Sequence, residues 1–302
     1  MTSRRRPKKP QVHRHGILGR PVLVTGASRG IGAETAVTFA RAGHPVILVA
    51  RDKVALASVA KSIESGGGVA HVMPADLSGT EAATRFAAKL LEAHPDICGA
   101  VLNAGLAVEG AVTSRDPDSF LSEFDVNYFA PVALARMLLR HWQGDPLRPS
   151  QAGHRAESGS IVAVSSLTAT VPFPGHANYG ASKAALNQMM RNLRVEIAMA
   201  RQRTGGKQSM PIHIGIVSPG YTQTAMTEGL DSSLPGSAPS FIAAAIWDCF
   251  DRRLEEVVPG IDNKVAAGIF RLLPSVADKF LQAGSHWLVP GKSTRRPRKG
   301  KD

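Results

Sequence analysis

This chain has little of what would make it a secreted, metal-binding or membrane-spanning protein. Among its 302 residues only Cys98 and Cys249 are cysteine. Two thiols so far apart make neither a disulfide framework nor a ligand cluster, so no metal is expected. No uninterrupted apolar run approaches the roughly 18 residues that cross a bilayer. No apolar core follows the basic start, so a secretory leader is not expected and the cytoplasm is the default compartment. Aromatic residues are scarce, at 5%, and nothing repeats internally. Acid is missing from residues 1–20, which carry seven Lys or Arg, while residues 291–302 carry six against Asp302 alone. Those two ends account for the whole formal charge of +12, which leaves residues 21–290 neutral. Both ends contain proline, lack apolar periodicity and read as disordered tails over 1–19 and 291–302. They also lack aromatics to stack on bases, so nucleic acid is not expected as a partner. Weak attraction to an anionic membrane surface is the sharper alternative, at about 1 kcal/mol per basic residue near it.

What is present is alternation. Short apolar runs at Pro21–Val24, Val46–Val49, Val69–Met73, Ala100–Leu102, Ser160–Val164 and Ile212–Val217 read as buried strands. Helical patterns lie between them, at Ala33–Ala42, Lys53–Ser65, Thr80–Ala93 and Phe120–Trp142. This order predicts an α/β fold: one doubly wound, Rossmann-type parallel sheet with helices on both faces, in a single domain over 20–290. Beyond Glu256–Gly260, two amphipathic patterns within 264–282 are split by Pro274. They could pack on the core or a subunit interface, and a peripheral membrane contact is the alternative.

Tyr179 and Lys183 lie four apart in Tyr-Gly-Ala-Ser-Lys, with Ser166 thirteen residues upstream. An i,i+4 spacing puts both side chains on one helix face. An ammonium beside a phenol favours the phenolate, so the pair is expected to lower the tyrosine pKa and make a tuned proton donor. The first strand opens into Thr25-Gly26-Ala27-Ser28-Arg29-Gly30-Ile31-Gly32 and then a helix. Glycines let a backbone approach a ligand closely, and the helix N-terminus offers free N–H groups to a pyrophosphate. Gly26-Ala27-Ser28-Arg29-Gly30 also matches a hydrolase nucleophile elbow, but too few residues precede it to supply the earlier strands.

Taken in order, these motifs resemble the short-chain dehydrogenase/reductase (SDR) family, from about Gly19 to Thr227. The resemblance implies the following roles. Gly26, Ser28, Arg29, Gly30, Ile31 and Gly32 form the cofactor loop. Asp76, with Leu77, meets the adenine. Asn103, Ala104 and Gly105 form the turn beneath the nicotinamide ribose. Pro219, Gly220, Thr222 and Thr224 grip the nicotinamide amide. Asn127, Ser166, Tyr179 and Lys183 form the catalytic set, with Asn127 holding a proton-relay water and both Tyr179 and Lys183 also touching the cofactor. Homodimers or homotetramers are implied by the family alone. The ending resembles that of members acting on steroids or other lipids.

After the second strand, Ala50 stands where an acid would pair with the ribose of NAD, and Arg51 follows. Arg51 and Arg29 suit a 2′-phosphate, which favours NADP(H) over NAD(H); an acid role for Asp52 is the competing reading. The expected reaction interconverts a carbonyl and an alcohol on a small apolar substrate. A 3-oxoacyl thioester reductase and a non-catalytic cofactor-binding interaction protein are the alternatives. Leu167–His176 and a lid over about 221–250 should line the pocket, with Val171, Pro172, Phe173 and Pro174 giving an apolar wall. Polar insertions at 144–158 and 201–210 read as surface loops.

Overall fold

The computed structural model describes residues 19–143, 158–203, 211–224, 226–227 and 236–283. The basic tails, nearly all of the 144–158 insertion and residues 204–210 of the second lie outside the described residues.

Seven strands form one sheet in the order β3-β2-β1-β4-β5-β6-β7, every neighbouring pair parallel. They are β1 (Val22–Thr25), β2 (Val46–Val49), β3 (Ala70–Val72), β4 (Gly99–Leu102), β5 (Gly159–Val164), β6 (Ile212–Val217) and β7 (Glu256–Val257). The alternation along them is a division between two buried faces rather than between core and water. Leu23, Ile47, Ala100, Ile161 and Ile214 point into one core; Val22, Val24, Leu48, Val101 and Val162 point into the other. Between strands run α1 (Gly30–Arg41), α2 (Lys53–Ser65), α3 (Thr80–Ala93), α4 (Pro117–Phe124), α5 (Ala130–Gln143), α6 (Ala177–Arg203) and α7 (Pro239–Asp251). Residues of α3, α5 and α6 fill the first core and those of α1, α2 and α7 the second. The doubly wound plan read from the sequence is therefore the observed one. Strand order reverses between β1 and β4, and the crevice at their carboxyl ends is the expected place for a ligand.

Two details differ from expectation. The single helix expected over 120–142 is α4 and α5 joined by a π-helical turn, Asp125–Phe129. Pro131 explains the widening. It lacks the N–H that an α-helix would aim at the Asn127 carbonyl four residues back. Second, the lid expected to run to about 250 is shorter. Pro239 starts α7, whose Ile242, Ile246 and Phe250 are buried against Phe39 of α1, so this stretch is core. The two C-terminal amphipathic patterns are helices, α8 (Ile261–Leu272) and α9 (Pro274–Ala283). α8 buries Ala267, whereas Ile261, Val265, Ile269 and Leu272 form an outward apolar stripe, with Ile261 77% and Leu272 80% exposed. Among the described residues no helix is long and apolar enough to cross a membrane.

Candidate active site

The glycine loop follows β1, and its shape is set by what surrounds it. Gly26 has φ 67°, and a Cβ there would lie 2.8 Å from Asn103 Nδ2. A Cβ on Gly32 would overlap the Gly26 carbonyl oxygen, so α1 begins in contact with the loop. Arg29 caps α1 with extended backbone and no side-chain bond, which leaves the first-turn N–H groups at Gly30, Ile31 and Gly32 facing the loop. Ser28 and Ile31 are half-buried and Arg29 is exposed. Thr25 fastens the neighbouring strand end. Its Oγ1 accepts the N–H of Asn103 at 2.9 Å and of Ala104 at 3.0 Å, while Asn103 Nδ2 donates to the Thr25 carbonyl at 2.9 Å. Thr25 was not among the residues singled out from the sequence, although a hydroxyl directly before the first glycine was the available signal.

At the ends of β2 and β3, Arg51 and Asp76 are both exposed and electrostatically coupled. Two Ser78 hydrogen bonds, from its hydroxyl and its N–H, hold the Asp76 carboxyl below the usual range, with a smaller contribution from Arg51. Leu77 is buried beside it. Asp52, the rival acid, is committed elsewhere. Its carboxylate caps α2 by accepting the N–H groups of Val54 and Ala55, each at 3.0 Å.

Beyond β4 the chain continues as an extended segment, 103–110, that is assigned to no strand. Alternate N–H groups of extended backbone point the same way, and here each meets an acceptor. Ala104 donates to Thr25 Oγ1, Leu106 to Asn127 Oδ1 at 2.8 Å, Val108 to Glu123 Oε1 at 2.8 Å and Gly110 to the Gly175 carbonyl at 3.0 Å. Asn127 is fully buried and also donates through Nδ2 to the Leu106 carbonyl and to Ser182 Oγ. Gly105 lies between two predicted catalytic groups: a Cβ there would be 3.4 Å from Asn127 Oδ1 and 3.6 Å from Lys183 Nζ.

Ser166 follows β5 by two residues and caps a short 3₁₀ turn, its Oγ accepting from Thr168 N and Oγ1. It lies close enough to Tyr179, at the start of α6, to act on the phenol. Lys183 Nζ, 3% exposed as a residue, lies 5.9 Å from the Tyr179 ring centroid and donates to the Val164 carbonyl at 2.9 Å. Ser166, Tyr179 and Lys183 are thus brought together. Their electrostatics differ from the sequence expectation. Burial pushes the Tyr179 phenol up to about 12, with the Ser166 hydroxyl pulling down and the Glu123 carboxylate pushing up. Burial likewise brings Lys183 down to about 8. Both groups are driven toward their neutral forms, because the enclosed site penalises either charge and the ammonium points at a carbonyl.

The loop after β6 closes the site. Leu167 N–H donates to the Pro219 carbonyl at 2.7 Å, which ties this loop to Ser166. Gly220 abuts Asn263 of α8 closely enough to exclude a side chain. Thr222 is buried, and Thr227 Oγ1 donates to its carbonyl at 2.6 Å and accepts the Thr224 N–H at 3.0 Å. Thr224 Cγ2 would lie 3.2 Å from a Cβ on Gly30, so the loop reaches the glycine cradle. Residues 225 and 228–235, within the predicted lid, lie outside the described residues. On the substrate side the Phe173 and His176 rings pack edge-on at 5.3 Å, and His176 meets the Tyr179 ring at 6.4 Å. Among the described residues no His/Cys/Asp/Glu group could hold a metal.

A family model described as short chain dehydrogenase matches residues 20–234. Over 286 residues the chain is 32% identical to a "dehydrogenase/reductase SDR family protein 7-like" of Anopheles gambiae, covering 89% of this chain and 84% of that protein. It is 28% identical over 265 residues to the "ketoacyl reductase HetN" of Nostoc sp., covering 86% and 85%. Among solved structures, a short-chain dehydrogenase from Sphingobium yanoikuyae in complex with NADPH superposes with TM-score 0.67 at 26% identity, covering 94% of this chain and 99% of that one.

Proposed function

The chain belongs to the short chain dehydrogenase family, whose members are oxidoreductases of CH–OH and C=O groups, and from that premise we propose that it is an NADP(H)-dependent reductase of an apolar ketone or aldehyde. The observation that carries the reading is the convergence of Ser166, Tyr179 and Lys183 beside the loop that continues β4, at the same carboxyl end of the sheet as the glycine cradle.

The residues present fit the cofactor. The cradle at Gly26, Gly30 and Gly32 with the uncapped start of α1 suits a pyrophosphate. With Asp52 committed to α2, Arg51 and Arg29 are the charges available for a 2′-phosphate. The NADPH complex of the Sphingobium yanoikuyae relative supports this choice. Asp76 and Leu77 would meet the adenine, Asn103 to Gly105 the nicotinamide ribose, and Pro219, Gly220, Thr222 and Thr224 the amide. When bound, the nicotinamide supplies the hydride.

The chain supplies the proton and the field. Ser166 donates to the substrate oxygen and Tyr179 gives up its proton as that oxygen becomes an alkoxide. A phenol pushed up to about 12 stays protonated at neutral pH until it is used. Lys183, brought down to about 8, carries its proton at neutral pH and stands beside Gly105, where it can hold the ribose and return a proton to Tyr179. Asn127 anchors that return path. Its side chain is committed to Leu106 and Ser182, so its main-chain carbonyl, deprived by Pro131 of the α-helical donor, is the acceptor offered to a relay water.

Val171, Phe173 and the prolines beside them favour an apolar substrate. A 3-oxoacyl thioester is the second reading, favoured by the likeness to the ketoacyl reductase. The test is NADPH oxidation, with NADH in parallel, across apolar ketones, aldehydes and 3-oxoacyl thioesters. Tyr179→Phe should keep NADPH binding and lose roughly 10²–10⁴ in turnover; a variant that turns over normally would remove Tyr179 from this role. Silence of the wild type on the whole panel, with NADPH bound, would favour an interaction protein instead.

A further inference from the structure

Glu123 is fully buried, as is the side chain of Arg115 apart from 4% of its surface, and the two form an ion pair at 2.8 Å. A buried charge pair is a poor device for stability, because desolvating both ions offsets most of their attraction. Its placement offers a better reason for its presence. Glu123 Oε1 accepts the Val108 N–H of the extended segment beside the site, while Oε2 accepts from Arg115 and from Asn178 Nδ2 at 2.5 Å. Asn178 directly precedes Tyr179, and its remaining amide hydrogen reaches the Phe120 carbonyl at 3.1 Å. Arg115 in turn donates to Ser119 Oγ and lies 4.7 Å over the Phe120 ring. One carboxylate therefore joins three things: the wall at 106–110, the turn carrying Arg115, and the first turn of the helix that presents the phenol. Two residues along the wall, Gly110 is bonded to Gly175 of the loop leading into that helix, so the connection is made twice.

We propose that Glu123 is a positioning residue: with Arg115 and Asn178 it fixes the spacing between the substrate-side wall and Tyr179, and so decides how a carbonyl is presented to the cofactor. The inference rests on the reductase reading above. Hydride delivery tolerates little misplacement, and a shift of about 1 Å can cost on the order of a hundredfold. Rigid support from below is how such a spacing is held. The nearness of this carboxylate to the phenol is also visible in electrostatics, where it adds to the upward push that burial exerts on Tyr179.

Asn178→Ala removes one strut without leaving a buried charge unpaired, since Arg115 still neutralises Glu123. Reduction of a prochiral apolar ketone should then show KM for the ketone raised about tenfold and a lower enantiomeric excess of the alcohol, with the NADPH Kd within twofold of wild type. Glu123→Gln combined with Arg115→Met takes out both charges together and should produce the same pair of changes, even where its melting temperature falls. Adding Asn178→Ala to that double variant should cost little more, because the three act as one unit. Unchanged KM and enantiomeric excess in Asn178→Ala would overturn the proposal, as would losses that track melting temperature alone. Failure of the wild type itself to bind NADPH or reduce any ketone would be a different result, striking the reductase reading rather than this one.

Discussion

At the scale of single residues, the chemistry depends on where a few polar groups have already spent their hydrogen bonds. Arg51 illustrates this. Because Asp52 is committed to the α2 cap, the proposed cofactor reading leaves Arg51 as the group at the end of β2 that would meet the 2′-phosphate. Arg51→Ala should lower the NADPH-over-NADH preference in kcat/KM by about ten- to a hundredfold, the worth of one or two charge-assisted bonds. Steady-state kinetics with both cofactors measures it, and an unaltered ratio would assign the discrimination elsewhere. Much at this scale was legible in the sequence, because glycine loops, the Asn-Ala-Gly turn and the Tyr-x-x-x-Lys pair are local and carry their spacing with them. Glu123, Arg115 and Asn178 were not. Their meaning comes from contacts between residues 8 to 55 apart along the chain, and a charged residue in an amphipathic helix reads as a solvated face until the fold buries it. The direction of the Tyr179 shift escaped for the same reason, since spacing reveals a neighbouring ammonium but not the loss of water around both groups.

At the scale of elements, the sheet ends are held by side chains as much as by strands. His213 on β6 is 7% exposed and bridges Ser160 Oγ of β5 at 2.8 Å and the Leu254 carbonyl before β7 at 2.9 Å. Burial brings its pKa down to about 4, with the Leu254 carbonyl opposing and Arg253 and Arg194 assisting. In the unfolded chain the same ring titrates near 6.5, so between those values the unfolded state binds more protons. Stability should therefore fall as pH is lowered from about 6.5 to about 4, by up to about 3 kcal/mol, and this contribution is fully present above that window. Melting temperatures of wild type and His213→Gln across pH 4–7 check it: the variant should show the flatter acid limb, and parallel curves would exclude His213 as the cause. The strands and most helices were readable from apolar runs, since a parallel sheet buries both faces and leaves continuous Val, Ile and Leu. The π turn was not, because a helical wheel built at one period cannot show where Pro131 changes it. Nor was the outward stripe of α8, because apolar periodicity tells which residues share a face but not whether anything lies against it.

At the scale of the whole molecule, β4 occupies the centre of the sheet and touches β1 on one side and β5 on the other. Strands β1 to β4 come from residues 22–102, with the cradle following β1 and the Asn103 turn directly following β4; β5 begins only at Gly159, and Ser166, Tyr179 and Lys183 come later still. The half that would grip the nucleotide is therefore synthesised before the half that would do chemistry on it. At about 5–20 residues per second, a ribosome takes several seconds between the two. Through that interval the open edge of β4 is a row of unpaired backbone groups, the kind of edge that invites a wrong partner. Nascent chains stalled shortly before Gly159 should already protect β1 and β2 from protease while remaining captured by chaperones, and release should follow once β6 has emerged. Early release, with β4 still uncovered, would show that the first four strands bury their own edge. The strand order that opens a crevice between β1 and β4 thus also sets an order of synthesis, in which the β4 edge waits for β5.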